Sequence, residues 1–309
     1  FINNQALNGA GGVMYIGGVS TDSKAVNVKI TNSKMEDNKA LRGGVVTIEG
    51  QPSSPDAIST ITIQSSEMKN NEATTVNGGG VIYGDIANIN IQNSTFIENS
   101  VTSLTGGKGG AITYIGYTNT LLNIISSTFE ENKGDLGGAL YVTVRNDPTQ
   151  VLSMFTKDVT FTSNLANQNG GALCIDGSDD ITITYKLNMT HSIFKSNQAM
   201  IKGGTISMKY SELTLNEFQE DGSNAVESGG FASIEKSTFN AAHGHIKDTY
   251  VNYIKGNGGV FNINGGSKVT LNELQMHSEK GYTAQTAKEP EAGYCTDSEQ
   301  GACYSASMG

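Results

Sequence analysis

Two short motifs alternate along the chain, and their spacing restricts the fold more than any other feature. One is a large apolar residue followed three places later by Asn, at Phe1/Asn4, Met35/Asn38, Met68/Asn71, Phe96/Asn99, Phe129/Asn132, Phe161/Asn164 and Phe194/Asn197. Phe218/Asp221 continues the series with Asp for Asn, and at Phe239/Ala242 the polar member is lost. The other motif is a Gly pair leading into an apolar segment: Gly11-Gly12, Gly43-Gly44, Gly79-Gly80, Gly109-Gly110, Gly137-Gly138, Gly170-Gly171, Gly203-Gly204, Gly229-Gly230 and Gly258-Gly259. Eight steps separate Gly12 from Gly259, about 31 residues each, a period at which solenoids are expected. A unit that short cannot bury an apolar face alone and does so only against its neighbours.

Periodicity decides what each unit contains. After most Gly pairs the second and fourth residues are apolar, as in Met14/Ile16, Val46/Ile48, Leu140/Val142, Leu173/Ile175 and Ile206/Met208. Alternation of two marks a strand with one buried face. A second strand precedes the Phe or Met by five and seven residues (Val28/Ile30, Ile61/Ile63, Ile89/Ile91, Leu122/Ile124, Leu187/Met189). A third, short one carries the Phe itself. No spacing of three and four persists long enough for a helix. The sequence therefore predicts an all-β fold: a right-handed, single-stranded parallel β-helix of about nine coils and three short sheets, over residues 1–280. The Gly pairs fit corners that need positive φ or close backbone approach. Phe96, Phe129, Phe161 and Phe194 should form one ladder of like residues, and Asn99, Asn132, Asn164 and Asn197 another. Glu279 to Gly309 breaks the pattern, and 281–309 reads as the start of a Cys-containing module.

Composition narrows the function classes. The net charge of −10 argues against a nucleic-acid groove or an anionic membrane surface as partner. No run approaches the ~18 apolar residues a spanning helix requires. Because Phe1-Ile2-Asn3-Asn4 already matches the repeat, the sequence reads as a segment of a longer protein.

The pairing of F-x-x-N with G-G-A-[ILV] resembles the repeat of the chlamydial polymorphic outer-membrane proteins, and similar repeats occur in large surface proteins of protists. Its clearest copies are Phe96-Ile97-Glu98-Asn99 with Gly109-Gly110-Ala111-Ile112, Phe129-Glu130-Glu131-Asn132 with Gly137-Gly138-Ala139-Leu140, and Phe161-Thr162-Ser163-Asn164 with Gly170-Gly171-Ala172-Leu173. The resemblance covers roughly residues 1 to 265 and implies an elongated, surface-displayed, often adhesive protein. This chain departs from it at Met35 and Met68, at Thr205 and Phe231 after their Gly pairs, and in the last coil.

Candidate chemistry is sparse. Some β-helices process acidic polysaccharides, and Asp179-Asp180 with His243-Gly244-His245 offers a faint echo of their carboxylate and histidine segments. The two lie about two coils apart, roughly 10 Å, against the 5 to 9 Å that glycosidase carboxyls require. Asp176, Asp179 and Asp180 lack the spacing of an EF-hand loop. His243 and His245 would share one strand face, a possible metal pair that no carboxylate or Cys completes in the sequence, so an exposed loop is expected. Cys174 stands third after its Gly pair, an outward or rim position that Tyr15, Tyr83 and Tyr141 fill in other coils. Asn93-Ser94-Thr95 and Asn188-Met189-Thr190 are glycosylation sequons, and strand parity directs Asn93 and Asn188 outward. Cys295 and Cys303 could close a short disulfide loop or pair downstream.

The sequence thus predicts a non-catalytic structural or adhesive segment of a large extracellular or cell-surface protein, with no cofactor or metal. Other surface proteins, glycans or copies of itself are the expected partners. The alternative is a polysaccharide lyase or glycoside hydrolase, and a filament subunit is a third possibility.

Overall fold

The computed structural model describes residues 1–17, 25–50, 58–103, 106–145, 151–179, 184–252 and 256–278. Among them there is no helix, and the strands form three parallel sheets. Nine rungs stack through about eight turns of a β-solenoid. The strand after each Gly pair builds one nine-stranded sheet, in register from Met14 through Val46, Ile82, Ile112, Leu140, Leu173, Ile206 and Ala232 to Phe261.

The other two sheets divide the coil differently from the sequence reading. The strand before the Phe and the strand carrying it belong to one fourteen-stranded sheet, bent at a single residue between them. The third sheet consists of short strands that follow the Asn, such as Lys39–Ala40, Glu72–Ala73 and Ser100–Val101. Most of these strands are two residues long, too short for alternation to show in a sequence.

Beside the inward aliphatic residues of the strands, two ladders of like residues run through the interior of the regular coils. The rings of Phe96, Phe129, Phe161 and Phe194 stack with centroids 4.7, 5.2 and 5.4 Å apart and planes within 14°. Offset stacking of this kind adds about 0.5–1.5 kcal/mol per pair beyond burial. Beside it the Asn side chains form a continuous chain. Asn132 Nδ2 donates to Asn164 Oδ1 (3.0 Å) and to the Phe96 carbonyl (2.9 Å), while its Oδ1 accepts from the Asn99 backbone N–H (3.1 Å) and Nδ2 (3.0 Å). Two donors and two acceptors are all used, which no other short side chain could match.

The Gly pairs answer two separate needs. Gly137 has φ +70°, in the left-handed region. Gly138 has a Cβ direction that ends 2.0 Å from the Gly171 carbonyl oxygen of the next coil, so only a hydrogen fits.

The third residue after the pair faces away from the core ladders, yet it is not at the rim. Cys174, Tyr83 and Tyr141 are all buried, and of the positions compared only Tyr15, in the first coil, is exposed. The segment before each Gly pair folds back over this face. Thr113 Oγ1 donates to the Gly78 carbonyl (2.9 Å), Asn262 Nδ2 to Ser228 Oγ (3.1 Å), and Lys108 lies 4.7 Å from the Tyr141 ring centre. Burial, with Asp176 nearby, pushes the Cys174 thiol well above its usual range, so it stays protonated and unreactive.

Register corrects the end of the Phe series. Opposite Phe194 stands Glu220, followed by Ile246 and Met276, while Phe218 pairs with Ser192 and Phe239 with Leu213. Phe218/Asp221 and Phe239/Ala242 are therefore not rungs of the ladders, and Asn197 passes its backbone N–H to Ser223 Oγ instead (3.0 Å). Phe218 stacks on Phe231 at 5.6 Å, and Gly244 leaves room for its ring. Glu220 is 1% exposed, accepting from Thr205 Oγ1 (2.7 Å) and the Ser223 N–H (3.1 Å). Burial pushes its carboxyl up to about 8, against which those hydrogen bonds act.

Candidate functional site

The bend inside the large sheet places one residue per coil in the left-handed region: Asn32, Ser65, Asn93, Ser126, Asp158, His191, Glu217, His243 and Glu273, with φ between 47 and 55°. Asn, Asp and His tolerate this conformation better than most residues, and each such residue costs of order 1 kcal/mol, which the stacked coils must supply. The strand registers on either side set these residues on adjacent rungs, about 4.8 Å apart. The corner thus carries a ladder of its own on the outside of the rod.

Two grooves lie along this corner. The first, about 520 Å³, is lined by Asn32, Ser33, Lys34, Ser65, Ser66, Glu67, Asn93 and Thr95. The second, about 410 Å³, includes Asp158, His191, Ser192, Glu217, His243 and His245. In the second the ladder alternates acid and imidazole. His191 sets Nδ1 3.7 Å from Asp158 and Nε2 against the Glu217 carboxylate, and His243 sets Nδ1 2.8 Å from Glu273 Oε2. These side chains are about half exposed, so each pair is worth at most ~1 kcal/mol. Beneath them Ser192 is buried, and its Oγ has no hydrogen-bond partner.

His243 and His245 therefore lie on a strand, Thr238–Lys247, rather than in a loop, and carboxylates do stand beside His243. No sequence motif reveals them, because Glu217 and Glu273 come from the adjacent coils. The one available signal is the acid or His that stands at the bend in each of the last five rungs, where the first four carry Asn or Ser.

The remaining candidates disperse. Asp179 borders a separate groove with Tyr210, Ser211 and Lys236, so it does not meet His243, and Asp180 lies outside the described residues. Asp176 accepts from the Tyr141 hydroxyl at 3.0 Å. Arg145, two coils from its partner, donates through Nε to Asp85 Oδ1 at 2.9 Å and through Nη2 to Oδ2. Asn93 is exposed at the corner, and Asn188 is exposed within Thr184–Lys195. Cys295, Cys303 and the whole of 281–309 fall outside the described residues.

The stretch from the corner at Asp158 through Phe161 and Asn164 to the strand after Gly170-Gly171 makes up somewhat more than half of one coil. Residues 158–176 match the family model of the Chlamydia polymorphic membrane protein repeat. The matched stretch holds one rung of each ladder and one Gly pair, the parts that every regular coil of this rod repeats. No curated protein and no solved structure is significantly similar to the chain. Among the described residues, no helix is long and apolar enough to cross a membrane, which says nothing of β-barrels.

Proposed function

We propose that this chain is a structural or adhesive segment of a larger surface-displayed or secreted protein, and not an enzyme. Its stacked coils hold polar outer faces toward other proteins, glycans or copies of itself. The observation that carries this reading is the match of a short stretch of one coil, 158–176, to the repeat of the Chlamydia polymorphic membrane proteins. The interior supports it, since its large apolar cluster runs from Ile30 to Phe261 as packed core. Solenoids of this kind present their binding surfaces outside, on faces and loops.

The decisive experiment labels intact source cells with a membrane-impermeant reagent and compares them with lysed cells. Labelling before lysis is expected, and labelling only after lysis sinks the reading. Mass spectrometry of the native protein adds detail. A glycan on Asn93 or Asn188 fits a eukaryotic secretory route, whereas free thiols at both Cys295 and Cys303 count against an extracellular site. Turnover of pectin or alginate that disappears on replacing Asp179 and Asp180 would establish the enzyme instead.

A further inference from the structure

Both interior ladders stop at one rung. Phe194 is the last ring of the parallel stack and Asn197 the last Asn of the hydrogen-bonded series. In the next coil their places fall to Glu220 and Ser223. The contact across this junction is poorer than those before it. Phe194 meets the Phe231 ring at 60° and 6.1 Å, where the earlier rings lie nearly parallel. On the same strand the buried Ser192 Oγ has no hydrogen-bond partner. Coils of a solenoid are held by their neighbours alone, so a poor interface is where one part of the rod opens without the other.

Glu220 makes this interface depend on a proton. Its buried carboxyl accepts from Thr205 Oγ1 and the Ser223 N–H. Phe194 stands in register with it on one side and Ile246 on the other. The columns beside it carry Lys195, Asp221 and Lys247, and Ile193, Gln219 and His245. Of these groups only Asp221 acts on the carboxyl, and it repels the charged form. A carboxylate enclosed here thus has two hydrogen bonds and no cation, whereas the same group in water needs neither.

We propose that Glu220 is the catch of a pH-dependent joint in the rod. With its proton in place, the coils from Thr205 to His277 close on the regular coils. Loss of the proton releases them, while the coils up to Asn197 stay folded. Opening bares the edge of strand Thr184–Lys195 and one side of the Phe194 ring, a surface able to pair with another strand. The proton goes to solvent, because the carboxyl titrates near 8 when enclosed and near 4.5 when exposed. Between those limits the open fraction rises about tenfold per pH unit, and above about pH 8 it levels off.

The test is amide hydrogen exchange read by mass spectrometry on the full chain, parent beside Glu220→Gln, from about pH 5 to about pH 9. Intrinsic exchange is the same for both chains at a given pH, so the ratio of their rates isolates the carboxyl. In the strands from Ile206–Lys209 to Lys268–His277 the ratio of parent to variant should climb about tenfold per pH unit up to about pH 8, then stay level. In the strands from Asn27–Thr31 to Leu140–Val144 it should not change with pH. If Glu220→Gln does not fold, Glu220→Met gives the same uncharged comparison. A ratio that stays flat in the later coils, or that climbs equally in both groups, overturns the proposal.

Discussion

The coils up to Asn197 and the coils after it solve the same packing problem in different ways. In the first group each rung repeats the last: Phe on Phe, Asn on Asn, with an Ala or Val after most Gly pairs. Errors of fit are then shared by like neighbours, and stability becomes a sum of nearly equal steps. In the second group a carboxyl takes the place of the ring at Glu220, and the lost volume is recovered sideways by Phe218 and Phe231. Thr205, where other coils have a small apolar residue, supplies a hydroxyl to Glu220. The two departures from the repeat at Thr205 and Phe231 are thus one compensated substitution. Strict repetition is one way to fill a solenoid, and local complementarity is another that tolerates a buried acid.

Several replacements would break or sharpen this contrast. The largest effect is expected at the Gly pairs. Gly138→Ala drives a methyl into the Gly171 carbonyl and should cost about 4 kcal/mol or more, if the chain folds at all. Gly259→Ala, in the last coil where a Cβ meets nothing within 4 Å, should stay within about 0.5 kcal/mol. Equal denaturation midpoints for the two variants would show that close coil approach is not what the glycines serve.

Next comes the aromatic stack. Phe129→Ala should cost about 3–5 kcal/mol by urea denaturation, as for a fully buried ring between two others. A variant that unfolds with the parent would remove the stack from the list of stabilising elements.

Glu220 gives an effect of a few kcal/mol that depends on pH. Its folded-state carboxyl titrates near 8, above the unfolded value of about 4.5, so the folded chain holds the proton more tightly. The stability this contributes is complete below about pH 4.5 and is lost as pH rises through about 8. Melting temperature should therefore fall across that window, and Glu220→Gln should flatten this part of the profile. A parent profile that the Gln variant reproduces would mean the carboxyl is not held neutral. A smaller loss is expected from Thr205→Val, which deletes one hydrogen bond to Glu220 and should cost about 1–2 kcal/mol in the same assay, with Phe194→Leu as a packing control.

Much of the regular half was legible in the chain. The ladder residues Phe96 to Asn197, the Gly pairs and the inward strand positions follow from spacing alone, because identical coils stack in register. The candidate groove was not legible. His243 and His245 stood out as a pair, but the carboxylates that engage His243 and His191 lie one coil away, and insertions of differing length between coils hide that alignment. Phe218 misled for the same reason: counting three places to Asp221 preserves the motif locally while the register sets Glu220 in the ladder.

By itself the sequence determined the architecture, since a period of about 31 residues with period-two burial leaves a chain no other way to cover its apolar faces. Only the tertiary structure decided which residues share a rung, that the outward side of the strand after the Gly pair is covered, and which acids meet which imidazoles. The physical reason is that burial pattern is written within one coil, whereas each strand register pairs residues some 26 to 36 positions apart through backbone hydrogen bonds that are blind to side-chain identity.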